Sequence, residues 1–178
     1  TDDRASTSRQ FTVEGDCVSF LNVGNPEMTF AEDPHQGFTW HAASGEVYTS
    51  DSNALRRYDA AGTLLTSNTD PNGDIMAATG MTGLIHLCDI CIVDDWLIVP
   101  TNDYPSTTKC AIAVFDRTTL TLVAATDVSS IKPEISGICW NPDIERLVTC
   151  NWGIFSAMYK FALNRSTGAI TADGFIIL

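Results

Sequence analysis

The stretch ISGICWNPDIERLVTCNW, residues 135–152, consists of two short apolar runs joined by a polar turn. The stretch GFTWHAASGEVYTSD, residues 37–51, repeats this pattern, and Trp40 and Trp140 occupy the same place in the two copies. Turns that contain Gly, Asp, Asn or Pro between apolar runs are typical of β-hairpins. Both stretches are therefore predicted to form hairpins of the same kind.

A third copy, CDICIVDDWLIVPTND, lies between these two at residues 88–103, with a shorter turn and with Ile92 in the place of the tryptophans. Each copy is followed by a second apolar hairpin, at residues 54–67, 111–125 and 157–174. In the second hairpin of each unit, an aromatic residue precedes an Asp or Asn at the turn. The pairs are Tyr58 with Asp59, Phe115 with Asp116, and Phe161 with Asn164.

The repeated unit thus holds four strands in about fifty residues and occurs three times. Antiparallel units of this kind are typical of β-propeller blades, which bury their faces by stacking around an axis. A sandwich or barrel is the alternative, but neither requires the repeat. No stretch of ten or more residues keeps a helical period, so helix is expected to be nearly absent. The sequence predicts an all-β fold, a β-propeller of four-stranded antiparallel blades.

Residues before the first complete unit match the outer half of a blade. VSFLNVGNPEMTFAED, residues 18–33, aligns with IAVFDRTTLTLVAATD, residues 112–127. The predicted organisation is a mobile polar segment at 1–10, an outer half-blade at 11–34, and blades at 35–69, 84–128 and 133–178. About three and a half blades leave apolar faces and strand edges open. Further blades or another copy of the chain are therefore expected to close the ring.

The chain is acidic, with a net charge of −12 and a pI near 4.3. Such a surface repels phosphate backbones, so nucleic acid is not expected as a partner. Apolar runs of four or five residues are too short for a membrane-spanning helix. An extracellular or virion-associated location is favoured. The motif NRS at Asn164 is a glycosylation sequon that matters only in a eukaryotic secretory route.

Six cysteines are too few for a disulfide scaffold, and the lone C-x-x-C of Cys88 and Cys91 lacks the second pair that a zinc site requires. Cys91 and Cys139 lie within apolar runs and are interpreted as small buried apolar residues. The open alternative is a disulfide among Cys17, Cys88, Cys110 and Cys150.

Blade geometry brings the end of each second strand and the start of each inner strand to one face, around the mouth of the ring. The predicted binding site there comprises His35, Asp51, His86, Asp89, Asn102, Glu134, Asn151 and Trp152. Oxygen and imidazole ligands of this kind suit a divalent cation such as calcium. The alternative is that Asp and Asn end these strands because their side chains cap turns. Trp152, with Tyr104 and Phe155, is predicted either to pack or to offer a stacking surface to a sugar or protein.

Two stretches, PEISGICWNPDIERLVTCN at 133–151 and FTWHAASGEVYTSDSNALRRYDAAGTLL at 38–65, resemble a loose group of six- and seven-bladed propellers. That group includes the gluconolactonase/regucalcin, strictosidine-synthase-like and NHL-repeat families. The resemblance implies a calcium at the mouth, as in the lactonases of the group, where a Glu and Asn or Asp residues hold it. Glu134, Asn102 and Asn151 are the nearest matches by position.

No nucleophile elbow, phosphate loop or Cys–His nucleophile pattern occurs in the sequence. Together with the acidic surface, this favours a non-catalytic binding or structural module, part of a larger extracellular or viral surface assembly. Its expected partner is a protein or a carbohydrate. The alternative is a metal-dependent hydrolase of the lactonase type, with its site at the propeller mouth.

Overall fold

A computed structural model describes residues 36–131, 134–150 and 157–177. The predicted N-terminal segment and half-blade lie outside the described residues. The strands of the first sheet are β1 (Gly37–His41), β2 (Glu46–Ser50), β3 (Leu55–Tyr58) and β4 (Leu64–Asn68). Helix α1 (Pro71–Thr79) follows. The second sheet contains β5 (His86–Leu87), β6 (Cys91–Val93), β7 (Trp96–Asn102), β8 (Cys110–Asp116) and β9 (Leu122–Asp127). The third contains β10 (Gly137–Asn141), β11 (Arg146–Cys150), β12 (Ala157–Leu163) and β13 (Ile170–Ile177).

All three sheets are antiparallel, and the first and third are meanders in which each strand pairs with the next along the chain. In the second sheet β5 and β6 both pair with β7, so together they form one interrupted inner strand. This arrangement confirms the predicted all-β fold of four-stranded antiparallel blades. Among the described residues, no helix is long and apolar enough to cross a membrane.

The same cross-strand register recurs in every sheet. In each sheet, three residues on adjacent strands form a cross-strand triad. A residue of the innermost strand pairs with a buried aliphatic residue, which in turn pairs with a buried aromatic residue. The triads are Trp40–Val47–Tyr58, Ile92–Leu97–Phe115 and Trp140–Leu147–Phe161. Just beside each aromatic residue, the pairing with the outer strand shifts in register. The predicted equivalence of the three units is therefore confirmed at these positions.

Each outer hairpin turns at an Asp or Asn, as predicted. The Asp59 carboxylate accepts hydrogen bonds from the backbone N–H groups of Ala61 and Thr63. Asp116 and Asn164 accept equivalent bonds from backbone N–H groups two and three residues further along the chain. Because these short side chains occupy N–H groups that the strands cannot pair, the turn is fixed locally.

Two apolar clusters lie between the sheets and define two faces on each sheet. We call the face that carries the triads the leading face and the opposite one the trailing face. The leading face of the second sheet, with Leu97 and Phe115, packs on the trailing face of the first, with Tyr48 and Leu55. In the same way the leading face of the third sheet packs on the trailing face of the second. Both interfaces therefore have the same order and the same polarity.

Helix α1 links the first sheet to the second, and the expectation of almost no helix missed it. Asp70 caps its N-terminus by accepting a hydrogen bond from the Gly73 N–H, Pro71 opens the helix, and Gly80 ends it in the left-handed conformation. Ile75 is fully buried in the cluster between the first two sheets. The helix therefore contributes Ile75 to the cluster, with Met76 packed against it and Pro71 also buried, and these few apolar residues do not produce a visible helical period.

The interruption in the inner strand of the second sheet follows from Pro100, which has no N–H to donate to the ladder. Cys88 donates its N–H to the Pro100 carbonyl over 2.9 Å, but its own carbonyl accepts from the Ser50 hydroxyl of the first sheet, at 2.8 Å. This bond brings the first sheet so close that a Cβ on Gly37 would lie 2.8 Å from the Asp89 Cα.

Replacing Gly37 with alanine is expected to lower the free energy of unfolding by about 1–3 kcal/mol, because backbone atoms must move. The matched control is Gly137→Ala at the same register position of the third sheet. There the added Cβ would meet the Cys150 Sγ at 2.7 Å, an exposed side chain that can rotate away. Urea unfolding should show the larger loss for Gly37→Ala, and equal losses would contradict the close approach.

A charged network joins the first two sheets near the hairpin turns. The Glu46 carboxylate pairs with Arg57, accepts from the Tyr48 hydroxyl at 2.8 Å, and pairs with Arg117 at 3.2 Å. The bond from Arg57 lowers the pKa of Glu46 to about 2. Arg117 also donates to the Tyr48 hydroxyl at 3.2 Å. A single carboxylate thus pairs with two arginines from different sheets.

One burial prediction is wrong. Cys139 is exposed rather than buried, because it lies on the trailing face of the third sheet. Trp40 is 61% exposed on the leading face of the first sheet. Cys91 is buried as predicted. Cys88, Cys110 and Cys150 are free thiols, so the alternative disulfide does not form among them, and Cys17 lies outside the described residues.

Candidate functional site

The structure brings together four of the predicted site residues, His86, Asp89, Asn102 and Glu134, near the inner ends of the second and third sheets. His86 and Asn102 are direct partners in the pairing of β5 with β7. The Asn102 side chain is buried and fully engaged, since its Oδ1 accepts from the Tyr104 N–H at 2.9 Å and its Nδ2 donates to the Cys88 Sγ at 3.3 Å. Asn102 therefore holds the loop after β7 against the inner strand.

His86 is half-buried and faces an exposed aromatic ring. Its imidazole lies 5.3 Å from the ring of Tyr104, at an interplanar angle of 38°. Burial lowers the pKa of His86, and the negative charge of Glu134 opposes that effect. The imidazole is therefore neutral at pH 7, and Glu134 is close enough to act on it. Together His86 and Tyr104 form what we call the aromatic ledge.

Glu134 leads into the third sheet and is half-buried. One of its carboxylate oxygens accepts from the Ser136 hydroxyl at 3.3 Å. Its charge also raises the pKa of Cys88 and of Cys110, in both cases as a smaller effect than burial. Glu134 therefore supplies negative charge to the space between the second and third sheets.

Asp89 lies where all three sheets meet. Its N–H donates to the Ser136 carbonyl at 3.3 Å, and its carboxylate accepts from the Ile90 N–H at 2.9 Å and from the Phe38 N–H. Burial nevertheless raises the pKa of Asp89, because desolvation of the charged carboxylate outweighs these bonds. This carboxylate ties the inner strands together.

Asp51 makes its contacts within the first sheet. Its carboxylate accepts from the Asn53 N–H at 2.8 Å and pairs with Arg56 at 2.7 Å. Turn capping, the alternative that the sequence left open, thus describes the observed bonds of Asp51, and the Asn102 Oδ1 plays a similar part after β7. Both side chains hold the chain at strand ends.

Cys88 lies beside His86, with its Sγ 3.8 Å from the imidazole Nδ1. Burial raises the pKa of the Cys88 thiol to about 12, so it stays protonated at neutral pH. A thiol in that state is a weak nucleophile. The pair therefore lacks the activated thiolate of a Cys–His catalytic site.

Cys88 is accordingly expected to resist iodoacetamide in the native protein at pH 8, and to react only after unfolding in urea. Cys150, a free and exposed thiol, is the control that should react under native conditions. Peptide mass spectrometry reads both positions in one sample. Modification of Cys88 at a rate similar to that of Cys150 would contradict the protonated, buried thiol.

The remaining predicted site residues, His35, Asn151 and Trp152, lie outside the described residues, as does Phe155. The metal set of Glu134, Asn102 and Asn151 therefore stays a prediction. Within 36–131, 134–150 and 157–177, no group of three or more His, Cys, Asp or Glu side chains is placed to hold a metal ion.

Sequence reasoning missed the polar support behind the ledge. The Asn72 side chain of α1 donates to the Ser52 carbonyl at 3.0 Å and accepts from the Thr101 hydroxyl at 2.6 Å. The Thr101 hydroxyl also lies 3.2 Å from the His86 carbonyl. Asn72 directly follows a helix-opening proline, which is the one local signal that could have placed it.

No protein-family model and no curated protein matches the sequence. Solved structures do resemble the fold. A chain of the mitotic checkpoint complex matches with a TM-score of 0.54 and 12% identity over 80% of this chain and 40% of its own. The periplasmic gluconolactonase of Pseudomonas aeruginosa matches with a TM-score of 0.56 and 14% identity, over 79% and 39%. A Bacteroides fragilis protein described as a 6-phosphogluconolactonase gives 0.56 and 14%, over 79% and 38%.

This chain thus spans about two fifths of the length of the structures that it matches. At 12–14% identity the likeness extends to the fold and no further. This likeness agrees with the propeller architecture that the sequence resemblance implied. The matched structures include proteins with different functions. The chain is therefore similar to β-propeller proteins in fold.

Proposed function

We propose that this chain is a non-catalytic binding module, which takes a protein or carbohydrate partner at the aromatic ledge of His86 and Tyr104. Tyr104 is 54% exposed and Ile85, beside His86 in the chain, is 58% exposed. An exposed ring with apolar surface beside it and an acid nearby suits stacking against a sugar or an apolar side chain. The acidic chain favours partners that carry positive charge.

One observation carries this proposal: the polar groups near the ledge are already used to hold the fold. The Asn102 side-chain amide accepts a hydrogen bond from the Tyr104 N–H and donates one to the Cys88 Sγ. Asp89 binds backbone N–H groups, and Cys88 is a protonated thiol. These groups position the ledge, and they are not arranged as an acid, a base and a nucleophile.

An array of glycans and of basic, neutral and acidic peptides tests this function directly. Tyr104→Ala should abolish any binding seen with the parent chain, because the stacking surface is lost. Phe175→Ala removes an equally exposed ring, 58% accessible, from the outer strand of the third sheet and should leave binding unchanged. Equal loss in both variants, or no binding to any probe, would overturn the assignment of the ledge.

The second candidate is a metal-dependent lactonase, which the resemblance and two of the matched structures favour. Hydrolysis of glucono-1,5-lactone with and without calcium separates the candidates, together with calorimetric titration of calcium and zinc. Stoichiometric metal binding that is lost in Glu134→Ala and Asn151→Ala, with lactone hydrolysis, would establish the lactonase. The absence of both metal binding and lactone hydrolysis at millimolar metal would favour the binding module.

A further inference from the structure

Two free thiols lie side by side on the trailing face of the third sheet. Gly137 pairs with Cys150, and two residues further along β10, Cys139 pairs with Val148. Because residues two apart on a strand share a face, Cys139 and Cys150 are diagonal neighbours on adjacent strands. Both side chains are exposed. The pair is therefore open to a ligand that approaches from outside the sheet.

The sulfur of Cys150 lies over the inner strand that carries Cys139. A Cβ on Gly137 would lie 2.7 Å from the Cys150 Sγ, so this sulfur fills the space that a side chain on β10 would take. Burial raises the pKa of the Cys139 thiol, and the negative charges of Cys150 and Asp89 add to that effect. The two sulfurs are therefore close enough to act on each other.

A cavity of about 210 Å³ opens beside the two thiols, and both of them line it. Met158 also lines this cavity and is half-buried. In the register that pairs β11 with β12, Met158 lies opposite Cys150. The cavity thus brings a thioether to the same place as the two thiols.

The donors at this cavity indicate which kind of ion would suit it. Thiolate and thioether sulfurs are soft ligands, which select Cu(I) over hard cations. The Asp89 carboxylate reaches the cavity too, but it already accepts from the Ile90 and Phe38 N–H groups. In the described parts of the chain, no group of three or more His, Cys, Asp or Glu side chains could hold a metal ion, so the ligand sets of zinc and calcium are not met there.

We infer that Cys139 and Cys150 form a binding site for the soft monovalent cation Cu(I), with the Met158 thioether as a third and weaker ligand. Each thiol gives its proton to water as its sulfur bonds to the ion, and no electron is transferred. A disulfide is the competing product. The Cα atoms of diagonal neighbours are about 7–8 Å apart, whereas a disulfide usually spans about 4.4–6.8 Å. An ion held between the sulfurs bridges the longer gap.

Metal titration of the reduced 178-residue chain tests this site. Competition with bathocuproine disulfonate measures the affinity for Cu(I), and calorimetry with Ag(I) repeats the measurement with an ion that does not change its oxidation state. One ion per chain is expected, because the other described thiols are buried. Cys139→Ser and Cys150→Ser should each abolish binding. Met158→Leu keeps an apolar side chain of similar size and should weaken binding by about tenfold.

The matched control combines Cys139→Ser with Ser67→Cys. It keeps the number of thiols but places one of them on the exposed outer strand β4 of the first sheet. Circular dichroism checks that this variant and the single variants are folded, and the control should not bind either ion. Binding equal to that of the parent chain would show that unpaired thiols suffice and would overturn the inference. Absence of stoichiometric binding by the parent chain, or a Cys139–Cys150 disulfide that forms readily with glutathione disulfide, would overturn it as well.

Discussion

Replacing Phe115 with alanine is expected to lower the free energy of unfolding by about 3–5 kcal/mol. Phe115 is fully buried in the cluster between the first and second sheets and ends the triad Ile92–Leu97–Phe115. Sheets on two sides hold the surrounding atoms, so the cavity cannot collapse fully. Urea unfolding followed by circular dichroism measures the loss.

Phe175→Ala is the matched control for this change. The same atoms are removed, but the ring is 58% exposed and its aromatic neighbour Tyr159 lies 6.3 Å away. The expected loss is within about 0.5–1 kcal/mol. Similar losses at the two positions would show that the cluster between the sheets is not the principal source of stability.

Glu46→Gln is expected to lower the free energy of unfolding by about 2–3 kcal/mol at pH 7. The substitution keeps the size of the side chain but leaves Arg57 and Arg117 without their shared carboxylate. Both arginine side chains are only 16% exposed, so water replaces the lost partner poorly. Asp95→Asn is the control, because Asp95 meets Arg117 at 3.4 Å from a side chain that is 83% exposed.

The same network predicts a dependence on pH. The pKa of Glu46 lies at about 2 in the folded chain, below its ordinary value of 4.5. Folding therefore favours the ionised form, and the stabilisation is fully present above pH 4.5 and is lost as the pH falls towards 2. The difference in stability between the parent chain and Glu46→Gln should shrink over that interval. A difference that stays constant down to pH 2 would contradict the network.

The sheets could be predicted from sequence because the information in them is local. Alternating apolar residues fix which side chains share a face, and Asp or Asn at a turn fixes where a strand ends. The triads ending in Tyr58, Phe115 and Phe161 follow from these two signals alone. Helix α1 was not predicted, because its sequence signals, Asp70, Pro71 and Gly80, lie at its ends and its interior has no apolar periodicity.

Burial could be predicted less well, because it depends on what covers a face. The sequence places Cys91 and Cys139 at the same register position, yet one is buried and the other exposed. The pattern of a strand indicates its apolar side but not whether a neighbouring sheet lies against it.

The site at the propeller mouth stays a prediction. The structure shows that His86 and Asn102 are direct strand partners and that the charge of Glu134 acts on His86. Asp51 does not join them, because its side chain is held by Arg56 and its own turn. The stacking of Tyr104 on His86 depends on how the loop after β7 folds back, which Asp103 fixes by accepting from the Thr108 and Lys109 N–H groups. No local sequence pattern predicts such a contact.

The meander topology has a consequence for how the chain acquires its structure. Every strand finds its partner within a few tens of residues, so contact order within a sheet is low and pairing is fast. The first sheet is complete by Asn68, before any residue of the second is needed. During synthesis the sheets should therefore form one after another from the ribosome, each serving as the template on which the next one docks. The bond between Glu46 and Arg117, which joins the first sheet to the β8–β9 turn of the second, would then close only after the second sheet is in place.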